Sequence, residues 1–120
     1  MAFDERLAER VRFLLDGQPD VTERRMFGGI GFLIAGNMCC GVYGDSLIVR
    51  LDRDQADALL ASKPGVRPFD VTGRPMRGWL FVGPEALGED PELAAWVDRA
   101  ETFASSLPPK QRSTTPTSPT

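Results

Sequence analysis

Two cysteines stand side by side, Cys39 and Cys40, and a thiolate is the strongest nucleophile this chain could offer. Neighbours on a strand point to opposite faces, so one thiol is expected in the core and the other on the far side. A reactive thiol needs a lowered pKa and access to solvent, and the nearest cation that can be placed is Arg50, opposite Cys39. Cys40 reads as a small core hydrophobe. The pair is too small for a zinc site and poorly placed to bridge distant segments, which points to a reducing compartment. There is no histidine. That excludes Ser-His-Asp and Cys-His catalysis, imidazole-ligated zinc and the usual neutral-pH proton shuttle.

Three further groups could carry chemistry. Gly28-Gly29-Ile30-Gly31 would let backbone amides approach a phosphate, but a phosphate loop needs a strand before it and a helix after it. Here another strand follows, without Gly-Lys-Ser/Thr, so the glycines serve a bulge or the close packing of Met26 and Phe27. Asp52, Asp54 and Asp57 cluster at a helix start, where capping and the helix dipole account for them. Arg24, Arg25, Arg50, Arg67, Arg74 and Arg77 are the basic residues near the expected sheet, and residues 63 to 77 hold Lys63 and three of these arginines against Asp70 alone. A weak nucleic-acid surface could be assembled from Arg24, Arg25, Arg67, Arg74 and Arg77. One tyrosine and no interleaved aromatics leave little for base stacking, and an acidic last helix would repel the same ligand.

The chain that must position these groups has 120 residues and a mass of 13.2 kDa, the size of one domain. A quarter of it is Leu, Ile, Val or Phe, enough for a core without a disulfide or metal. The net charge of −3 and a pI near 4.9 weigh against bulk affinity for nucleic acid or anionic membranes. Acidic residues follow Met1 where a secretion signal would be basic and then apolar, and no apolar run reaches the length of a membrane span. A soluble, cytoplasmic protein is expected.

Leu7, Val11, Leu14 and Leu15 give residues 4 to 16 a helical stripe, with Asp4 as N-cap and Gly17 past the end. Phe13 lies off that stripe. Two turn signals, Gly36-Asn37 and Gly44-Asp45, divide the next segment into strands over 30–35, 38–43 and 46–51. Asp52 caps a second helix that ends before Pro64-Gly65, and a hairpin follows with strands over 69–71 and 76–82 bent near Arg74 and Pro75. Asp90-Pro91 starts a last helix running to Leu107. The domain therefore spans 1–107, and residues 108–120, rich in Ser, Thr and Pro, are expected to be a disordered tail.

With two-residue turns, Ala35 opposes Met38 and Tyr43 opposes Ser46. One sheet face then carries Leu33, Ala35, Met38, Cys40, Val42, Leu47, Val49 and Leu51 as the core side. The other carries Ile30, Phe32, Ile34, Cys39, Tyr43, Ser46, Ile48 and Arg50. It is too apolar for water alone, so a covering element or a partner is expected there. A one-residue slip would exchange the faces.

Arg25-Met26-Phe27-Gly28-Gly29-Ile30-Gly31, with Gly36, the strand 46–51, Phe69, Met76, Val82-Gly83-Pro84 and Leu93, Trp96 and Ala100, resembles the TfoX amino-terminal-domain family over residues 4 to 107. The resemblance implies an α+β domain with an antiparallel sheet in the order α-β-β-β-α-β-β-α, similar to secretion-chaperone-like folds. It implies relation to a bacterial regulator of DNA uptake (competence) of which this chain is similar to the first domain alone. It brings no catalytic residues and no cofactor. The reading is a non-enzymatic interaction module acting through protein contacts or a homodimer. Ile30, Phe32, Ile34, Tyr43 and Ile48 form the contact surface, with Trp79 as anchor.

Overall fold

The computed structural model describes residues 3–26, 28–70, 73 and 76–109. Its first two helices begin where short polar side chains satisfy free amides. Helix α1 (Glu5–Leu15) is capped by Asp4, whose Oδ1 accepts from the backbone N–H of Arg6 at 2.9 Å and of Leu7 at 3.2 Å. Helix α2 (Arg53–Ser62) is capped by Asp52, whose Oδ2 accepts from Asp54 at 3.1 Å and Gln55 at 3.3 Å. Each cap is worth about 1 kcal/mol. Helix α3 (Asp90–Ser106) starts one residue before its expected first turn, and the Glu92 side chain accepts from the Glu89 N–H at 3.4 Å.

The strands form one six-stranded antiparallel sheet in the order β1-β2-β3-β4-β6-β5: β1 (Val21–Met26), β2 (Gly29–Ile34), β3 (Asn37–Tyr43), β4 (Ser46–Arg50), β5 (Val66–Pro68) and β6 (Trp79–Val82). This is the expected fold class with one strand more. Strand β1 lies at an edge, and its sequence Val-Thr-Glu-Arg-Arg-Met lacks the alternation that would mark a half-buried strand. Charge there blocks further pairing, as an edge requires. The opposite edge, β5, is three residues long and ends in a proline, which cannot donate to another strand. The last hairpin pairs Val66–Pro68 with residues 80–82, earlier in the chain than the expected 69–71. Val71, Thr72, Arg74 and Pro75 of its connection lie outside the described residues, as does residue 110 onward of the tail expected to be disordered.

The register between β2 and β3 corrects the expected faces. Their turn is Ala35-Gly36, both at positive φ (+51° and +84°), so Ile34 rather than Ala35 ends the pairing. Pairing then passes from Leu33 with Met38 to Phe32 with Cys40, leaving Cys39 as an extra residue on β3. Such a bulge reverses the parity of everything beyond it. Ile30 and Phe32 consequently share a face with Cys40, Val42, Leu47 and Val49.

That face is the core. Leu7, Ala8, Val11 and Leu15 of α1 and Leu93, Trp96, Val97, Ala100 and Ala104 of α3 bury it, and Ala56 of α2 joins them. The end of α3 is tied back to the sheet by Asn37, whose Nδ2 donates to the Pro108 carbonyl at 2.8 Å. Among the described residues no helix is long and apolar enough to cross a membrane.

Candidate interaction surface

The second face of the sheet has its own small cluster: Met38, Ile48, Phe69 and Phe81 are buried, with Met26, Tyr43, Met76 and Trp79 partly exposed around them. Among the described residues, no helical side chain belongs to it. Its members come from Met38 and Tyr43 on β3, Ile48 on β4, Trp79 and Phe81 on β6 and Met26 on β1, and from Phe69 just past β5, which the hairpin brings back over the sheet. Backbone pairing of Ile48 with Phe81 and of Tyr43 with Ser46 fixes their spacing.

Aromatic rings dominate the patch. Phe81 stands 5.0 Å from Phe69 and 5.7 Å from Tyr43, and Phe69 is 5.6 Å from Trp79, the rings tilted to one another and at separations typical of interacting aromatic pairs. The Arg67 guanidinium lies over Phe81 at 4.7 Å, and that of Arg50 lies over Trp79 at 5.6 Å and over Phe103 at 5.7 Å. The middle of the face stays shallow because Gly31 and Gly41 pair across β2 and β3. A Cβ on Gly31 would come within 2.9 Å of Met26 Cε, and one on Gly41 within 2.7 Å of the Ile30 carbonyl oxygen. The methionine side chains occupy the room those glycines leave. Beside Trp79, a polar cleft of about 680 Å³ opens between Arg50, Asp52, Arg53, Met76 and Arg77.

Of the expected contact residues, the structure brings Tyr43, Ile48 and Trp79 together here. Ile30, Phe32 and Ile34 are buried in the main core under the helices instead, because of the Cys39 bulge. Sequence reading did not place Phe69, Met26 and Met76 on this face. Phe81 and Trp79 were recoverable as i and i+2 of one strand, whereas Phe69 and Met76 reach the patch through an irregular connection.

Among the described residues, the expected arginines are divided between the two sides of the sheet and an ion pair. Arg24 opposes Gly31 on the helix-free face, but Arg25 opposes Ile30 on the helix side, where its guanidinium lies 5.5 Å from the Phe3 ring centre. Arg67 covers Phe81, Arg77 is paired with Asp57 at 2.7 Å, and Arg74 lies outside the described residues.

Both thiols are fully buried in the main core rather than divided between the faces. Cys40 is pushed well above the usual thiol range by the hydrogen bond it shares with Cys39 and then by burial. Glu101 on α3 is raised by desolvation and by Asp98, and Arg12 is raised chiefly by its bond to Glu23. These perturbed groups lie on separate elements. Among the described residues no three potential metal ligands cluster.

A family model described as the TfoX N-terminal domain matches residues 14–104 of the 120-residue chain. No curated protein and no solved structure matches.

Proposed function

The chain belongs to the TfoX N-terminal domain family, and from that premise we propose that it is a non-enzymatic regulatory module, related to competence control, that acts by protein contact or self-association through the helix-free face of its sheet. The observation that carries this reading is the aromatic cluster of Tyr43, Phe69, Trp79 and Phe81, a second apolar cluster to which no helix contributes a side chain among the described residues. Buried Ile48 and Phe81 hold the cluster rigid, while half-exposed Tyr43 and Trp79 present amphipathic rings at its rim. Rigid aromatics lose little entropy on binding, which is why such residues dominate interface energies. Capture experiments comparing the parent chain with Trp79→Asp test it: a partner held by the first and released by the second supports the reading, and equal capture opposes it.

Weak nucleic-acid contact is the second reading, favoured by one observation. Arg24 and Arg67 flank this same face and Arg67 stacks on Phe81, an arrangement of cation and ring that single strands can use.

A further inference from the structure

Phe13 is 81% exposed, the one large hydrophobic side chain left in solvent among the described residues. Its helix buries Leu7, Val11 and Leu15 on the opposite side, so α1 is fully anchored without it. Directly beside Phe13, α1 and the first turn of α3 diverge into a groove of about 470 Å³ walled by Arg10, Leu14, Asp90, Pro91 and Ala94. The groove is held open by Arg10, whose Nη2 donates to the Leu87 carbonyl at 3.0 Å and to Asp90 Oδ1 at 3.1 Å.

We propose that this is a self-association surface in which Phe13 of each copy enters the α1/α3 groove of a second copy of the same chain. Three observations select that occupant. The projecting ring and the receiving groove lie next to each other on one patch, as a two-fold contact requires, since each copy must supply both halves. The charges at the rim are already neutralised within the chain, Arg10 by Asp90 at 3.1 Å and Glu9 by Arg12 at 2.9 Å. An uncharged knob is therefore preferred over an acidic or basic peptide. Finally, Arg6, Glu9, Phe13 and Asp16 follow one stripe of the helix and its end. Antiparallel α1 helices crossing at the level of Val11 set Phe13 against the Glu9–Arg10 rim of the groove and Arg6 opposite Asp16 of the partner subunit. The contact is one helix face wide, at the small end of specific interfaces, so the dimer forms and dissociates readily. It involves no residue of the helix-free sheet face and stands or falls separately from the function proposed above.

Sedimentation velocity of the full chain from micromolar to millimolar concentration tests the proposal. The parent chain should pass from monomer to dimer, and Phe13→Glu should weaken the dimer roughly tenfold or more while leaving the circular dichroism spectrum unchanged. Arg6→Asp and Asp16→Arg should each weaken association, and combining them should restore it. A parent chain that stays monomeric throughout, as when the groove takes a different occupant, overturns the proposal. So does a Phe13→Glu chain that dimerises like the parent. Failure of the double charge reversal to recover association overturns the antiparallel arrangement.

Discussion

Phe32 stands directly opposite Cys40 across β2 and β3, and both side chains are buried beneath the helices. An ionised carboxylate at residue 32 would have no partner in that core and would leave much of the ring's volume empty. Phe32→Asp should therefore cost at least about 4 kcal/mol, a large part of a small domain's total stability. Tyr43→Asp, at the half-exposed rim of the other face, should cost about 1 kcal/mol and leave the fold intact. Urea titration followed by circular dichroism separates them. A cooperative transition of ordinary midpoint for Phe32→Asp would contradict the register described here.

The neutral Cys40 thiol gives a pH prediction. Its pKa is raised in the folded state above the ordinary 9.0, so the folded chain binds that proton more tightly than the unfolded one. The corresponding stability is complete below pH 9.0 and is lost as pH rises through the folded-state value. Unfolding free energy measured from pH 7 into the alkaline range should fall, and Cys40→Ala should flatten the slope even though it lowers the absolute value. Native thiols should also react with a disulfide reagent more slowly than a free cysteine, and at the free rate once urea unfolds the chain. Fast labelling of the native chain would argue against burial.

The glycine run has a steric purpose that substitutions can resolve. A Cβ on Gly29 would run into the backbone carbonyl of Val42, whereas one on Gly31 would press chiefly on the movable ends of Met26 and Met38. Gly29→Ala should cost about 1–3 kcal/mol because two backbones must separate. Gly31→Ala should cost clearly less. Thermal unfolding of both gives the comparison, and equal losses would count against this explanation.

Binding of labelled single-stranded DNA tests the second functional reading. Two well-placed arginines, Arg24 and Arg67, allow a shallow salt dependence, with Arg24→Ala and Arg67→Ala each reducing binding at low salt and Arg25→Ala leaving it unchanged. No binding at low salt removes that reading.

Much of this architecture was legible in the sequence because its signals are local. Asp4 and Asp52 announce their helices through side chains two and three residues from the amides they cap. The turn at Gly44-Asp45 sets Tyr43 opposite Ser46 as expected. The faces of β2 were not legible, since nothing in the run Met38-Cys39-Cys40 marks Cys39 as unpaired. Shifting the preceding turn to Ala35-Gly36 would have left the faces as expected, and the bulge alone exchanged them. Strand β1 escaped notice for a related reason: an edge strand that carries charge on both sides has no apolar period to read. The aromatic patch was half visible. Tyr43, Ile48 and Trp79 follow from strand parity, whereas Phe69 reaches the patch from beyond the end of β5, where no period places it.

Photocrosslinking in the native cell tests the proposed role of the helix-free face most directly. Benzoylphenylalanine at position 43 lies at the rim of the aromatic cluster, and at exposed Ser62 on α2 it provides a control away from it. The account predicts a discrete protein adduct from position 43, absent from position 62 and lost when Trp79→Asp is added. No adduct from position 43, or the same adducts from both positions, would contradict it.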